Sequence, residues 1–465
     1  MEMWAREIAE VTGGRLIGPD LAVRGAAIDS RELTDGQLFV PVIDERDGHD
    51  FIAAAIEHGA SAYLSSRPVD GPNVDVAAVE VADTGEALIA LGRAARGRIG
   101  AEPGFAAVIG ITGSVGKTTT KDLLRAALHE SLPTAASVRS FNNELGVPLT
   151  LLNAPDRTQA AVVEMGARRA GHIAMLCEIA RPTVGVVTTV EMVHTEMFGS
   201  LAEVGIAKGE LIEALPSDGA AVLNADNPLV AAMAERTDAR VLRFSAGSTG
   251  SAGSAGSAAT GGVGSDLWAE HVAVDSDLRP TFRLHTPWGD ADVHLGVRGA
   301  HNVANALAAA AAALVVGAPL DAVVEGLSRV ELSPWRMDLQ VAASGVRVLN
   351  DAYNAGPASM AAALRSLDAL DAAHPVAVLG IMAELGPDSA AAHRRVADLA
   401  EDLAVQVIAV AAPDYGPAAR HVPDIDAAHA LLLADGPLGA GHVVLVKGSR
   451  VAGLERLAAM LLDGE

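Results

Sequence analysis

The stretch FAAVIGITGSVGKTTTKDLLRAALHESL, residues 105–132, decides the fold of this chain. It begins as an apolar strand, turns at two glycines, and continues as a helix whose apolar residues recur at helical spacing. Further apolar runs downstream alternate with helical patterns, as a mostly parallel sheet requires. The sequence therefore predicts an α/β protein.

The turn at residues 113–119 predicts a phosphate site. Its glycines let backbone N–H groups point towards phosphate oxygens at a helix start, where the helix dipole favours an anion. Lys117 can neutralise the β- and γ-phosphates of ATP, and the Thr118 hydroxyl can ligate Mg²⁺. Ile111 stands where the full GxxxxGK[ST] motif has its first glycine, which leaves a chance match as the alternative. The predicted cradle consists of Gly113, Ser114, Val115, Gly116, Lys117, Thr118 and Thr119.

Length and composition limit the architecture and the partners. The chain has 465 residues, and at one domain per ~150 residues we expect three domains. Half of the residues are hydrophobic and only 3% are aromatic, so small aliphatic side chains must form the core. The formal charge of −24 would repel a phosphate backbone and argues against nucleic acid as a partner. We expect small-molecule substrates instead.

Several features indicate a cytoplasmic protein. Cys177 is the single cysteine and cannot form an intramolecular disulfide, which fits a reducing compartment. The N-terminal stretch MEMWAREIAEVTGG lacks the basic start and apolar core of a signal peptide. No uncharged run reaches the roughly 18–20 apolar residues of a membrane span.

We also expect the protein to be a monomer.

Changes of pattern divide the chain into three predicted domains. Residues 1–99 mix short β-like pieces with helical stretches and should form a small α/β domain. Residues 100–332 hold the phosphate loop and a mostly parallel sheet, and residues 333–465 predict a Rossmann-like unit. Residues 247–265 contain almost only Gly, Ser, Ala and Thr, which indicates a flexible surface loop. We interpret that loop as a tolerated insertion rather than a lid.

The shortened phosphate loop and several other segments resemble the Mur ligase family. DSRELTDGQLFV and DGHDFIAAAIEHGA, within residues 29–60, resemble the domain that binds a UDP-sugar in that family. SFNNELGVPLTLL, residues 140–152, resembles a signature of its MurF branch. AKGELIEAL, VLNADNP, GAHNVANALAA, DAYNAGPASM and VKGSR follow in family order. The resemblance implies an N-terminal UDP-substrate domain, a central ATP-binding domain and a C-terminal domain for an amino acid or dipeptide.

The resemblance also implies a catalytic metal site in the central domain. Glu164 ends the strand QAAVVEM, at the carboxyl edge where an α/β sheet gathers ligands, and a carboxylate suits Mg²⁺. His194 matches a metal-site position, although a lone histidine is more often a core or surface residue. Lys208 would repel Mg²⁺ as an ammonium group; the resemblance implies a carbamate there, whereas residue type alone indicates an exposed helical lysine. The implied catalytic residues are Lys117, Glu164, His194 and Lys208, and the implied metal ligands are Thr118, Glu164, His194 and Lys208.

Two asparagines at a helix start are candidates for binding the nucleotide base. Asn302 and Asn305 carry amides that can donate to and accept from an adenine edge, and the resembling HNxxN segment contacts nucleotide. The alternative is that Asn302 caps its helix. By resemblance, Arg336 and Asp351 of the C-terminal domain reach ATP when the domains close.

The remaining candidates concern the substrates that are joined. Lys447 and Arg450 in VKGSR can meet substrate carboxylates, or they are solvated surface cations. The substrate contacts implied by resemblance are Ser30, Arg31, Asp47, Asn142, Asn143, Tyr353, Asn354, Lys447 and Arg450.

The implied reaction is ATP-dependent amide-bond ligation. The terminal carboxylate of a UDP-linked muramoyl tripeptide attacks the γ-phosphate, and D-alanyl-D-alanine attacks the resulting acyl phosphate. Contributions from three domains imply closure before chemistry, because water would hydrolyse an acyl phosphate.

Departures from the family pattern leave other functions open. They bear on the predicted amine-substrate pocket, so one alternative is a paralogue that acts on a different amine or peptidyl nucleotide in specialised metabolism. A related ligase for a single amino acid or glutamate, a P-loop kinase or nucleotide hydrolase, and a catalytically silent nucleotide-binding scaffold are the others. The departing residues are Thr189, Glu191, Thr195, Trp335, Gly356 and Ile381.

Overall fold

The computed structural model describes residues 1–71, 73–138, 141–191, 198–247, 264–434 and 436–463. It is an α/β protein, as the sequence predicted, with three main sheets that follow one another along the chain. Within the described ranges, no helix is both long enough and apolar enough to cross a membrane. Most of the predicted flexible loop, residues 248–263, lies outside the described residues.

The N-terminal part contains a five-stranded sheet of order β2-β7-β6-β5-β4 and a two-stranded antiparallel pair, β1 with β3. Only β2 runs antiparallel to its neighbour in the larger sheet. The strands are β1 Glu2–Trp4, β2 Arg15–Ile17, β3 Ala22–Arg24, β4 Ala26–Ala27, β5 Leu38–Phe39, β6 Ala62–Ser65 and β7 Ala77–Glu80. The helices are α1 Ala5–Thr12, α2 Ile52–Glu57 and α3 Thr84–Ala101, with a 3-10 helix at Gly48–Phe51.

The central part is built on a nine-stranded sheet of order β16-β15-β14-β13-β12-β11-β8-β10-β9. The seven strands from β9 to β14 are parallel, and β15 and β16 extend the sheet antiparallel. The strands are β8 Ala107–Thr112, β9 Thr134–Ala136, β10 Ala160–Glu164, β11 Val184–Val187, β12 Ala220–Asn224, β13 Arg240–Ser245, β14 Leu267–Val274, β15 Pro280–Thr286 and β16 Gly289–His294. The helices are α4 Lys117–His129, α5 Gly146–Leu152, α6 His172–Ala180, α7 Leu201–Glu213, α8 Pro228–Ala231, α9 Asn302–Val315 and α10 Leu320–Arg329, with a 3-10 helix at Ala232–Arg236.

The carboxyl ends of neighbouring central strands meet at one edge of the sheet. Strand β8 lies between β10 and β11, with Glu164 paired to Ile111 and Val187 paired to Thr112. The chain then passes from β8 through residues 113–116 into α4. This register brings Glu164 and the phosphate loop together, as parallel strands with crossover helices require.

The N-terminal and central parts share one hydrophobic core. A single cluster includes Leu88 and Leu91 of α3, Val147 of α5 and Ile179 of α6. The buried guanidinium of Arg96 reinforces this contact, because it donates to the carbonyls of Ala180 (2.7 Å) and Arg181 (3.0 Å) at the end of α6. Helix α3 therefore belongs to both parts, and the predicted boundary at residues 99 and 100 falls at its C-terminal end.

The C-terminal part has a six-stranded sheet of order β17-β18-β22-β19-β20-β21, in which only β17 is antiparallel to its neighbour. Two clusters cover its two faces, and Leu278 from the β14–β15 turn joins one of them. The strands are β17 Asp338–Val341, β18 Arg347–Asn350, β19 His374–Leu379, β20 Gln406–Val410, β21 Arg420–Val422 and β22 His442–Lys447. The helices are α11 Pro357–Asp368, α12 Ser389–Asp402, α13 Ile425–Ala434 and α14 Glu455–Asp463, with 3-10 helices at Gly386–Asp388, Pro413–Tyr415 and Arg450–Ala452.

Candidate functional site

A cleft of about 600 Å³ lies between the central and C-terminal parts. The central part contributes the phosphate loop, the carboxyl ends of β10 to β12 and the start of α9. The C-terminal part contributes Arg336 and three loops, residues 351–356, 383–385 and 449–451, together with Lys447 at the end of β22. Two structural units thus face each other across one cavity.

The phosphate loop approaches its neighbours so closely that it needs glycine at two positions. Gly113 has a φ of 149°, and a Cβ there would lie 1.9 Å from Thr188 Oγ1. Gly116 has a φ of 88°, and a Cβ there would lie 2.4 Å from Asn305 Oδ1. Left-handed backbone without a side chain leaves the N–H groups of the loop turned towards the helix start.

Lys117 lies at the first position of α4 and folds back over the loop. Its Nζ donates to Gly113 O at 2.8 Å. Burial lowers the pKa of Lys117 below its usual value; the charge of Glu164 opposes this shift, and the charge of Arg336 adds to it. An anion bound in the loop would favour the protonated form of this amine.

Glu164 is held by hydrogen bonds on both of its oxygens. Oε2 accepts from Thr118 Oγ1 at 2.8 Å, and Oε1 accepts from Asn142 Nδ2 at 2.9 Å. The backbone N–H of Glu164 donates to Ser137 Oγ at 3.2 Å. The side chain is almost fully buried and points at the start of α4, so a carboxylate and a hydroxyl oxygen lie together beside the phosphate loop.

Lys208 is buried in α7, and the interpretation of an exposed helical lysine is wrong. Only 3% of its surface is exposed. Burial lowers the pKa of Lys208 well below its usual value, and the positive charge of Lys117 adds to this shift. His194, the other implied metal ligand, lies outside the described residues.

The two asparagines of α9 are connected to the phosphate-loop helix. Asn305 Nδ2 donates to Asn302 Oδ1 at 2.7 Å, and Thr120 Oγ1 donates to Asn305 Oδ1 at 3.3 Å. Asn302 Nδ2 donates to Arg298 O at 2.6 Å. The N-cap position belongs to His301, so the alternative that Asn302 caps the helix is wrong. Both amides line the cleft.

Arg336 faces the phosphate loop from the C-terminal part. Its guanidinium stacks on the ring of Tyr353, 4.1 Å from the centroid. Its Nε is buried and has no hydrogen-bond partner among the described residues. A buried donor without a partner is costly, so this edge of the cleft suits a ligand that supplies an acceptor.

Lys447 is buried and ion-paired, so the interpretation as a solvated cation is wrong for this residue. It is 2% exposed, and its Nζ contacts the carboxylate of Asp351 and donates to Asn354 O at 3.0 Å. The other carboxylate oxygen of Asp351 accepts from the backbone N–H of Met337 at 3.1 Å. Lys447 therefore orders the 351–354 loop that lines the cleft.

Arg450 is partly exposed at the rim of the cleft. Its guanidinium pairs with Glu455 at 2.6 Å and lies over the Trp335 ring, 4.4 Å from the centroid. Trp335 is one of the departures from the family pattern. Its ring supports the guanidinium of Arg450, which is a predicted substrate contact.

Four of the predicted substrate residues lie outside this cleft. The side chain of Asn143 accepts from the N–H of Gly146, the first residue of α5, at 2.9 Å. Arg31 is exposed and paired with Asp29 at 2.6 Å, and Ser30 O contacts the ring Nδ1 of His58 at 2.7 Å. Of the others, Asn142, Tyr353, Asn354, Lys447 and Arg450 line the cleft.

Asp47, the fourth, contacts two residues that line a second cavity, of about 520 Å³, in the N-terminal part. It accepts from the His49 backbone N–H at 2.9 Å, contacts the His49 ring at 2.6 Å, and pairs with Arg67 at 2.6 Å. These hydrogen bonds, those to His49 first, lower the pKa of Asp47 to about 2. His49 and Arg67 line the cavity, so an anionic Asp47 holds two nitrogen-bearing side chains at its wall.

Polar residues that follow β11 and end β12 also line the cleft, and no motif predicted a site role for them. Thr188 Oγ1 donates to Val115 O at 2.6 Å, and Asn224 Nδ2 donates to Thr188 O at 2.8 Å. The backbone N–H of Glu191 donates to Ser114 Oγ at 2.9 Å, and Ser114 Oγ donates to the Glu191 carbonyl at 3.0 Å. Burial raises the pKa of the Glu191 carboxyl group. Their place at the carboxyl edge of the sheet was the signal that could have identified them.

Comparisons with known proteins agree with this geometry. Residues 111–313 match the model of the Mur ligase middle domain, and residues 335–450 match that of the Mur ligase glutamate ligase domain. The UDP-N-acetylmuramoyl-tripeptide--D-alanyl-D-alanine ligase of Mycobacterium tuberculosis is 40% identical, over 99% of this chain and 98% of its own. MurF from Acinetobacter baumannii has a crystal structure that is similar with a TM-score of 0.84 at 30% identity, covering 100% of this chain and 99% of the other. MurF ligase from Thermotoga maritima in complex with ADP has a TM-score of 0.76 at 27% identity, covering 95% and 97%.

Proposed function

Because this chain belongs to the Mur ligase family, we propose that it is a MurF-type enzyme that joins D-alanyl-D-alanine to UDP-N-acetylmuramoyl-tripeptide at the expense of ATP. The observation that carries the proposal is the cleft, in which a phosphate loop and a clamped carboxylate face cations of another structural unit. A ligase needs this arrangement, because it must activate one substrate with ATP and present another to it.

The side chains of the phosphate loop support activation of the peptide carboxylate. The loop N–H groups and Lys117 hold the triphosphate and spread the charge of the transferring phosphoryl group. Attack of the peptide carboxylate on the γ-phosphate gives an acyl phosphate and ADP. The amine of the dipeptide then attacks the acyl carbon, and phosphate leaves.

The donor set beside the loop fits Mg²⁺. Thr118 Oγ1 and Glu164 Oε2 are 2.8 Å apart, and both are oxygen ligands. No group of three His, Cys, Asp or Glu side chains able to hold a metal occurs in the described part of the chain. Magnesium suits such a site, because it is usually bound by one or two carboxylates together with waters and substrate phosphates. When bound, it would neutralise charge on the phosphates.

We also propose a carbamate on Lys208 and a metal-site role for His194. The support for the first is the lowered pKa of Lys208, because the neutral amine is the form that reacts with CO₂. A carbamate would convert this amine into an anion near the positive charge of Lys117. His194 rests on the family resemblance alone.

We assign the two substrate ends to different cavities. The second cavity, beside Asp47, would take the UDP end together with Ser30 and Arg31, since its wall carries histidine and arginine side chains. Asn142, Tyr353, Asn354, Lys447 and Arg450 would meet the peptide and dipeptide ends. Asn143, whose side chain accepts from the first N–H of α5, would contribute from beside Asn142.

The alternatives lose support for different reasons. A kinase or nucleotide hydrolase would not explain why residues of the C-terminal part line the cleft opposite the phosphate loop. A catalytically silent scaffold does not need Glu164 clamped on both oxygens. A specialised paralogue would rest on the departures, but 40% identity over nearly the whole length favours the MurF reaction. We also propose that the enzyme is cytoplasmic, since ATP and a nucleotide-linked precursor are cytoplasmic compounds. A monomer remains part of the proposal.

The decisive experiment measures phosphate release with ATP, Mg²⁺ and UDP-N-acetylmuramoyl-tripeptide while the amine is varied. We expect release with D-alanyl-D-alanine and none with D-alanine or L-amino acids. Release that ignores the amine would identify a hydrolase, and release with a different amine alone would identify a paralogue.

A pair of variants on α4 tests the phosphate loop. Lys117→Ala removes the cation at the transferring phosphoryl group, and we expect turnover to fall by about 10²–10³-fold with an unchanged melting temperature. Arg125→Ala, on the exposed side of the same helix, is the control and should keep wild-type turnover. Near-normal turnover in the Lys117 variant would exclude the proposed phosphate role.

A further inference from the structure

Ser333, just before the C-terminal part, is held by the phosphate-loop helix. Its backbone N–H donates to Asp122 Oδ2 at 2.8 Å, although 211 positions separate the two residues. Asp122 and Lys121 are almost fully buried in α4, and Lys121 Nζ lies 3.0 Å from the other carboxylate oxygen, Oδ1. One oxygen of Asp122 therefore serves the ion pair, and the other holds the linker between two parts of the protein.

The anchor belongs to the same polar network as the candidate metal site. Lys121 Nζ donates to Ser137 O at 2.8 Å. Ser137 Oγ accepts from the Glu164 N–H at 3.2 Å and from Thr150 Oγ1 at 3.2 Å. A continuous path of polar contacts thus connects the linker at Ser333 to Glu164.

The backbone is strained directly after the anchor. Trp335 has a φ of 60° and Met337 a φ of 50°, in the left-handed region that such side chains rarely adopt. Both belong to the C-terminal part, because Trp335 O accepts from the Tyr353 N–H at 3.2 Å and the Met337 N–H donates to Asp351. Only Pro334 separates the residue held by α4 from the first residue held by the C-terminal part. Hinges are a few such residues that absorb large changes of φ and ψ.

We propose that Asp122 is a positioning residue that fixes the linker at Ser333 to the phosphate-loop helix, so that the C-terminal part rotates about the short backbone segment from Ser333 to Trp335. The rotation then starts from a defined point and brings Arg336 and Lys447 over the loop in one arrangement. The inference rests on the proposed ligation, whose substrates bind to both parts. Without the anchor the linker moves freely, and fewer molecules reach the arrangement in which the two halves of the cleft meet.

Two substitutions at Ser333 isolate the hydrogen bond. The donor is a backbone N–H, so Ser333→Pro removes it, while Ser333→Ala keeps it. We expect kcat for ligation to fall about tenfold or more in Ser333→Pro with ADP affinity within about twofold of wild type, because the loop is untouched. Ser333→Ala should match wild type in both. Equal turnover in the two variants would overturn the proposal. So would a loss of ADP affinity that matches the loss of turnover, because that is a general structural effect.

A second variant removes the acceptor and guards against misfolding of Ser333→Pro. The double substitution Lys121→Met and Asp122→Leu replaces the buried ion pair by apolar side chains of similar size, a change that folds tolerate. It should lower kcat as Ser333→Pro does, and adding Ser333→Pro should lower kcat no further. Additive losses would contradict a shared bond.

Hydrogen exchange tests the anchor without any turnover. The Ser333 amide should exchange at least about tenfold faster in the Lys121→Met, Asp122→Leu protein than in wild type. An unchanged exchange rate would refute the anchor. If wild type itself fails to ligate the dipeptide, the proposed function fails, and this rate still decides about Asp122.

Discussion

At the scale of single residues, Lys208 makes the fold less stable than an apolar side chain would. It is buried in α7 with a lowered pKa, which means that the folded protein disfavours its charged form. A buried ionisable group lowers stability, because folding must desolvate its charged form or neutralise it. We expect Lys208→Met to raise the free energy of unfolding and to abolish ligation, as thermal melting and phosphate release on one preparation would show.

The gain from Lys208→Met depends on pH with a defined sign. The unfolded chain has a lysine pKa of about 10.4, and the folded value lies well below it. Between the two values the unfolded state binds more protons, so wild-type stability rises with pH. The advantage of the methionine variant is therefore largest in acid and shrinks through this window. Lys208→Arg keeps its charge and should be less stable than wild type; a methionine variant less stable than wild type in mildly acidic buffer would contradict this account.

At the scale of elements, two glycines of α3 should respond oppositely to the same substitution. A Cβ at Gly92 would lie 2.7 Å from Pro148 Cβ of α5, whereas one at Gly97 meets no atom closer than Arg181 Nη2 at 3.7 Å. Gly92→Ala should destabilise the protein by about 1–2 kcal/mol, because overpacking exceeds the gain in helix propensity. Gly97→Ala should stabilise it by about 0.5–1 kcal/mol. Urea unfolding measures both, and equal effects would contradict close packing of α3 on α5.

The sequence predicted some elements and not others for local reasons. Strand β8, the glycine turn and α4 are contiguous, and each glycine serves a local backbone requirement, so this segment was predictable. No prediction covered residues 267–294, where β14 to β16 add an antiparallel edge. The alternation of β14 is interrupted by a bulge between Glu270 and Ala273, which hides the period of two that identifies a strand.

The pairing of site residues could not be predicted, because it depends on contacts between distant segments. Lys447 and Arg450 have the same charge and lie three positions apart, yet one is buried against Asp351 and the other is half exposed over Trp335. Asp122 carried no motif at all, and only its contact with Ser333 gives it a role. Sequence gives residue types at the site, whereas burial and partners come from tertiary packing.

At the scale of the whole molecule, the shared core predicts two cooperative units rather than three. The N-terminal and central parts contribute to one cluster, whereas the C-terminal part has its own clusters, joined from outside by Leu278. We expect hydrogen exchange in urea to give one midpoint for α3 and α7 and a different midpoint for β19 and β22. Independent unfolding of α3 would contradict a common core.

The distribution of lysine gives the protein an unusual chemical property. The sequence has four lysines in 465 residues. Lys121, Lys208 and Lys447 are almost fully buried, and Lys117 lies in the phosphate loop. Arginine therefore supplies the fixed cations of the outer surface. Because the other three lysines are buried, a reagent that acylates amines would find, apart from the amino terminus, only Lys117 partly exposed, so covalent labelling of lysine would report on occupancy of the phosphate loop.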